Sequence, residues 1–340
     1  MKKVAVVILN WNGRKFLKKF LPTVIKYSSQ HAEIVIADNA STDSSIEFMQ
    51  DTHPEIRVIQ NLTNGGFAKG YNDALKQVDA DYYVLLNSDI EVTENWIPPV
   101  IALMETDPAI AACQPKLRSY DHPEIFEYAG AAGGYIDIYG YPFCRGRLFQ
   151  TLEKDNGQYD DITETFWATG ACMFVKADLY HKFGGLDEDF FAHMEEIDFC
   201  WRLKNAGYKI MYCPHSTVYH VGGGTLPKIL SHKTYLNMRN NITMLYKNLP
   251  SDLLLKVFVT RLFLDGIAAF KFLKDGGFSD FWAVTRAHMS FYRHLKMNLK
   301  KRQKIKHQHV TNIYNRNMVV EYFIRKKKLF TDLDQENFYK

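Results

Sequence analysis

Within the first ninety or so residues, four short apolar runs alternate with three segments of helical spacing, and this alternation constrains the fold more than any other feature. Val4–Leu9, Glu33–Ala37, Ile56–Ile59 and Tyr82–Leu86 are rich in branched and aromatic residues and predict strands. Between them, Lys15–Tyr27, Ser44–Asp51 and Ala68–Val78 predict helices, with Ser41-Thr42-Asp43 as the cap of the second. Repeated strand–helix–strand units imply an α/β fold: a mostly parallel sheet with helices on both faces. Each strand then runs into polar residues: Asn10 and Asn12, Asp38 and Asn39, Asn61 and Asn64, Asn87 and Asp89. Ligands of open α/β sheets bind outside the carboxyl ends of the strands, so four polar ends predict one lined crevice.

Composition supports a large core, with 46% hydrophobic and 14% aromatic residues in a chain of 340. A net charge of +4 gives no argument for nucleic-acid binding. The basic residues are uneven, however, clustering at Lys296–Lys306 and again at Arg325-Lys326-Lys327-Lys328, which suits an anionic surface, lipid or nucleic acid, and equally a solvated charge run. Five cysteines with no C-x-x-C pair fit a reduced, cytoplasmic setting. Met1-Lys2-Lys3 followed by Val4–Leu9 has the beginning of a signal peptide, but the apolar run ends at Asn10 with no small-residue cleavage site, so a buried first strand is expected.

Arg118–Thr165 is rich in Gly, Tyr and Asp and is expected to form loops and short strands over the crevice, as a mobile lid. Tyr235–Tyr246 and Leu253–Leu273 predict long apolar helices. The second carries Lys256, Arg261, Asp265 and Lys271, which suits an interfacial helix better than a membrane span, with Arg261 and Asp265 spaced to pair. The organisation expected is an α/β domain over 1–228 (a first half to about 115 and a second from about 116), a helical region over 229–300 and a basic tail over 301–340.

Two acidic clusters carry the chemistry. Asn87-Ser88-Asp89 follows a near-continuous apolar strand that holds the acid at a fixed point, where a hard cation bridging a diphosphate needs one or two carboxylates. His220, ahead of Gly222-Gly223-Gly224, is a second ligand candidate, since neutral imidazole accepts Mn2+; His215 is a weaker one. Asn64-Gly65-Gly66 runs into a helix whose backbone N–H groups suit a phosphate or a sugar hydroxyl. Asp38 is placed to accept from a base ring N–H. Further on, Glu195-Glu196-Ile197-Asp198 puts three acids among aromatic residues with Arg202. Crowded carboxylates in apolar walls hold their protons more tightly, which suits a general base.

Taken in order, these motifs resemble glycosyltransferase family 2, inverting enzymes of the GT-A fold, and most of all its rhamnosyltransferase-like branch. They are Val-Ile-Leu-Asn-Trp-Asn-Gly at the start, Ala37–Asp43, Asn64–Ala68, Leu86–Asp89 and the Glu195–Arg202 run. The resemblance implies that Asp38 reads the base, that Asn10, Asn12, Asn39, Asn64, Gly65, Gly66, Asn87 and Ser88 bind the nucleotide sugar, and that Trp167, Thr169, Gly170 and Arg202 line donor and acceptor. Asp89 then takes the last position of the metal-binding D-x-D, with Asn87 replacing its first Asp, and His220 is the C-terminal metal ligand for Mg2+ or Mn2+. Glu196 is the base, with Glu195 and Asp198 as alternates. The expected donor is a nucleoside-diphosphate sugar, dTDP-rhamnose favoured. The expected acceptor is a saccharide or lipid-linked saccharide, met at the inner face of the cytoplasmic membrane during cell-surface polysaccharide assembly. The C-terminal helices would contact lipid there, or else pair two copies of the chain. A processive synthase would need membrane spans and a Q-x-x-R-W motif, and neither is present. The rival from another class is a carbohydrate-binding module without turnover.

Overall fold

The computed structural model describes residues 2–222, 230–275 and 277–339. The strand–helix alternation read from the sequence is present as β1 (Val4–Asn10), α1 (Arg14–Ser28), β2 (Glu33–Asp38), α2 (Ser45–Thr52), β3 (Arg57–Gln60), α3 (Gly66–Leu75) and β4 (Tyr82–Asn87). After these come β5 (Ile90–Val92), α4 (Pro98–Glu105) and the long β6 (Ile110–Ser119). The order β4-β1-β2-β3 is parallel throughout, with Ile8 opposite both Ile36 and Leu86. β1 shows why both faces are covered. Val4, Val6 and Ile8 pack with Leu17, Leu21 and Val24 of α1, whereas Ala5 and Val7 face Ala68, Tyr71 and Ala74 of α3. An amphipathic helix on each side removes both faces from water. At about 25 cal/mol per Å2, each fully buried Val, Leu or Ile contributes roughly 1.5–3 kcal/mol.

The segment expected to cap α2 does so through Asp43. That side chain closes the first turn, accepting from the Ser45 N–H at 3.2 Å, while Ser44 makes no side-chain cap.

The segment expected as loops and short strands does supply short strands, four of the five in a second sheet, but not as a lid. The order of that sheet runs β10 (Thr151–Leu152), β9 (Arg147–Leu148), β8 (Pro142–Cys144), β7 (Gly134–Asp137) and then β14 (Ile313–Tyr314). Tyr135, Ile136, Phe143, Cys144 and Leu148 are buried in the main core, so this segment packs as an integral layer and not as a cover over the crevice. The stretch from residue 301 onward, basic as it is, supplies β14 together with Tyr314, Phe330 and Phe338, whose rings pack on Tyr135 and Phe143.

β11 (Thr163–Thr165), β12 (Cys172–Lys176) and β13 (Lys209–His220) complete a nine-stranded main sheet, and β12 inserts antiparallel between β4 and β6. α5 (Ala177–Lys182) and α6 (Glu195–Asn205) lie between these strands in sequence. The chain then turns helical with α7 (Leu230–Asn248), α8 (Ser251–Asp275), α9 (Phe278–Arg293) and α10 (Leu295–Arg302). Arg261 and Asp265 of α8 pair as spaced, at 2.9 Å, both buried. Among the described residues, no helix is long and apolar enough to cross a membrane. All five cysteines are buried thiols.

Candidate active site

Parallel pairing brings the carboxyl ends of β1, β2 and β3 level, and the polar residues there are stitched to one another. Asn10 Nδ2 donates to Asp38 Oδ1 at 3.0 Å, and the Ser41 N–H donates to Asp38 Oδ2 at 2.9 Å. Asn12 Oδ1 accepts from the Thr42 N–H at 2.7 Å. Asn39 Nδ2 donates to Asn64 Oδ1 (2.9 Å), which also accepts from the Gly66 N–H (2.9 Å). Asn12 and Ala40 both take positive φ, as a turn packed this tightly requires. Ser88 joins the group through Gly13, where a Cβ would lie 2.4 Å from Asn10 Oδ1 and 3.3 Å from Ser88 Oγ.

One residue beyond Ser88, Asp89 meets β13. Its Oδ1 lies 3.2 Å from His220 Nε2, and both side chains are buried. Behind the imidazole, Glu127 Oε1 is 3.1 Å from Nδ1. Burial alone would lower the affinity of His220 for a proton, but Glu127 and Asp89 outweigh it and push the pKa up to about 10. The imidazole therefore sits where positive charge is favoured. A divalent cation fits the same chemistry: one carboxylate and one imidazole side by side, with a second carboxylate behind orienting the ring. Glu127 faces the other ring nitrogen, and no group of three such side chains converges on one point among the described residues. Phosphate oxygens and water would have to complete the shell. Gly223 and Gly224, expected to approach phosphate, lie outside the described residues. His215 is exposed and apart from the pair.

The acidic run lies along the same edge. The Asn87 N–H donates to the Ala171 carbonyl at 2.9 Å, which ties the Asp89 turn to the Thr169-Gly170 segment. A Cβ on Gly170 would be 3.0 Å from the Phe67 ring and 3.7 Å from Glu196 Cβ. Phe67 follows Gly66, whose φ of +79° holds the turn against Phe191, and its N–H donates to the Phe191 carbonyl at 2.7 Å. Contacts thus run unbroken from Asp38, through Asn39, Asn64 and Gly66, to Glu196, and from Asp89 through Asn87 and Ala171 to Gly170 beside it.

The three acids differ in surroundings. Glu196 is partly exposed, and burial of its carboxyl raises the pKa to about 7. Glu195 is buried, with burial first and then the Glu196 and Asp198 charges holding it well above the usual range. Asp198 is fully buried and ion-paired, accepting from Arg202 Nε (2.9 Å), Lys247 Nζ (2.9 Å) and Asn248 Nδ2 (2.7 Å). Lys247 in turn pairs with Asp187, which also holds Lys301.

The loop ahead of α6 is strained. Phe191 (φ 65°, ψ −62°) centres a γ-turn of the rare positive-φ hand, closed by the Ala192 N–H donating to the Phe190 carbonyl at 2.7 Å. His193 and Met194 also have positive φ. Buried Asn240 of α7 holds this loop, its amide donating to the carbonyls of Phe190 (3.0 Å), Ala192 (2.9 Å) and His193 (2.8 Å). His193 is pushed down to about 4 by burial and then by nearby cations, so its ring is neutral.

Two residues expected to line donor and acceptor are committed elsewhere. Trp167 is buried against Gly134 with its indole N–H donating to the Tyr135 carbonyl (2.9 Å), and Arg202 spends its guanidinium on Asp198 and the carbonyls of Phe183 and Gly185. Thr169 is buried, its N–H donating to Gln114 Oε1 at 3.0 Å. Glu127 and Asn240 were absent from the sequence reading.

Comparison with known proteins is consistent with this geometry. The family model for glycosyl transferase family 2 matches residues 5–182. The N-acetylglucosaminyl-diphospho-decaprenol L-rhamnosyltransferase of Mycobacterium tuberculosis is 23% identical over 229 residues, 63% of this chain and 75% of the relative. The low-salt glycan biosynthesis hexosyltransferase Agl10 of Haloferax volcanii is 23% identical over 245 residues, 70% of this chain and 73% of the relative. Among solved structures, GalNAc-T7 with UDP, GalNAc and Mn2+ aligns with a TM-score of 0.58 at 18% identity, over 74% of this chain but only 49% of that one. The mannosyltransferase PcManGT of Pyrobaculum calidifontis, in complex with GDP-Man and Mn2+, aligns with a TM-score of 0.52 at 13% identity, covering 87% and 75%.

Proposed function

This chain belongs to glycosyl transferase family 2, and from that premise we propose that it is an inverting, cation-dependent enzyme that moves one sugar from a nucleoside diphosphate to an acceptor hydroxyl. The observation that carries the reading is the unbroken series of contacts linking Asp38, the Asp89–His220 pair and Glu196 along one edge of the sheet. In this reading 1–115 holds the nucleotide and 116–228 carries the base and acceptor side, with the helices after them as an appended layer.

Asp38 accepts from a ring N–H of the base, while Asn10, Asn12, Asn39, Asn64, Gly65, Gly66, Asn87 and Ser88 fix the rest of the donor. Asp89 and His220 would hold Mg2+ or Mn2+, which when bound would neutralise charge on the departing diphosphate. Glu196 accepts the proton of the acceptor hydroxyl. The acceptor oxygen bonds to the anomeric carbon as the carbon–phosphate oxygen bond breaks on the opposite side, and the nucleoside diphosphate leaves with that electron pair. One displacement inverts the centre. Glu196 is favoured over Glu195 because it borders Gly170 and is the less buried of the two residues, and over Asp198 because three cationic or amide groups already occupy that carboxylate.

Rhamnose from dTDP-rhamnose is the donor we favour, on the branch motifs and on relatives named as rhamnosyltransferases. The acceptor we favour is lipid-linked, met at the inner face of the cytoplasmic membrane. One face of α8 supports this: Leu255, Phe263 and Phe270 are 77%, 70% and 68% exposed, with Lys256 and Lys271 exposed beside them. The deciding experiment incubates the purified chain with Mn2+ and a panel of nucleotide sugars and follows released nucleoside diphosphate. Turnover in the native chain that is absent from Glu196→Gln supports the reading, and donor binding with no turnover in either would make the chain a binding module.

A further inference from the structure

Behind the strained loop, α7, α9 and α10 enclose a cavity of about 210 Å3 that none of the proposed chemistry uses. Its walls include the rings of Phe190 and Phe291 and the polar side chains of Thr243, Ser290 and Asn298. Those three are 7%, 9% and 2% exposed, and none donates or accepts a side-chain hydrogen bond among the described residues. Their hydroxyl and amide groups therefore face the space unclaimed by other side chains, where a polar guest can pair with them. The volume exceeds the roughly 150 Å3 in which a benzene-sized ring is held. His294 and Met297 on the lining are exposed, so the cavity opens to the surface.

We propose that this cavity binds one neutral sugar ring of the acceptor, next to the loop that carries Glu196. The inference rests on the transferase reading above for the word acceptor, not for the site. The chemistry selects the guest. Hydroxyl and amide side chains match vicinal hydroxyls, and Phe190 and Phe291 offer apolar faces for ring C–H groups. An anion is disfavoured. Asp189 lines the same space, and the guanidinium of Arg239, the cation there, already donates to the Asp189 and Phe190 carbonyls at 2.8 and 3.0 Å. A sugar in the cavity would press on Phe190, the first residue of the γ-turn, so that acceptor occupancy and loop geometry are coupled.

The test is saturation-transfer NMR on the full chain with L-rhamnose, N-acetylglucosamine, glucose and galactose in turn, with UDP and Mn2+ present to fill the donor cleft. At least one sugar should bind the native protein with a Kd of about 1–10 mM, the range of a few kcal/mol expected for a single ring. Ser290→Met, which fills the cavity, should weaken that binding by about tenfold or more, and the isosteric Thr243→Val by about threefold to tenfold. No sugar binding to the native chain overturns the proposal, as does binding that survives in folded Thr243→Val and Ser290→Met. Competition by inorganic phosphate would overturn the neutral-ring assignment. Failure of the transferase reading looks different: no nucleoside diphosphate is released from any donor, while sugar binding and its loss in the variants persist.

Discussion

Replacing Asn240 by alanine separates stability from catalysis, because the amide opposes strain that the same loop stores. Its two N–H groups are shared by three carbonyls, at 2.8–3.0 Å, and losing them removes about 2–3 kcal/mol of net hydrogen bonding. On the other side stand Phe191, His193 and Met194, non-glycine residues at φ values of 65°, 72° and 71°. Each such residue costs about 1–2 kcal/mol, roughly 3–6 kcal/mol for the loop. Once unpinned, the loop relaxes and recovers much of what the bonds supplied. Asn240→Ala should therefore lower unfolding free energy in urea by only about 1–2 kcal/mol. The base, however, moves: a displacement of about 1 Å at a catalytic group costs about a hundredfold, so the transfer rate should fall by at least that much with donor affinity unchanged. Amide exchange at Ala192 should rise by about tenfold or more, since its N–H closes the γ-turn. Two outcomes refute the reasoning: transfer at the native rate, or a loss of more than about 4 kcal/mol with no extra exchange at Ala192, which would make Asn240 an ordinary core residue.

Glu196→Gln should reduce transfer by about 10^2- to 10^4-fold at unchanged melting temperature, measured by nucleoside diphosphate release; the Glu195→Gln and Asp198→Asn variants serve as comparators. Burial holds the Glu196 proton up to a pH of about 7, and the base works only when ionised, so transfer should rise with pH through about 7 and be flat below that only in Glu196→Gln. Lys247→Met breaks the buried pairs to Asp187 and Asp198 and should cost about 3–5 kcal/mol in denaturant titration, because two interior carboxylates lose a partner. Phe263→Glu with Phe270→Glu should abolish co-sedimentation with anionic vesicles while leaving turnover of a soluble acceptor; a native chain that sediments as a dimer with this face covered would argue for subunit pairing instead.

The first four strands were legible because a parallel sheet leaves its strands no choice. Buried on both faces, they read as apolar runs, and their ends must turn polar where the chain leaves the core. That alone placed Asn10, Asp38, Asn39 and Asn64 together at the strand ends. Glu127 was not, since nothing in local spacing links an acid in a Gly- and Tyr-rich stretch to a histidine on a strand far downstream. Asn240 sits on a helix whose polar residues look like a solvated face. Short strands were expected where the second sheet lies, but their assembly into a packed layer escaped for a related reason: strands of two to four residues are shorter than the pattern that reveals a buried face. Trp167 and Arg202 carried the opposite error. Bulky residues beside a motif suggest ligand contact, yet tertiary partners had already claimed both.

The pairing of Ile313 with Ile136 has a consequence for synthesis. At about 5–20 residues per second, the growing chain exposes the β7 edge for a time on the order of ten seconds before its partner is made. Until then a bare strand edge faces the crowded cell, open to any other extended segment. The late-arriving strand thus acts as a seal, and a stop codon a few dozen positions early should yield a polypeptide prone to clumping even with every proposed ligand and proton acceptor already in place.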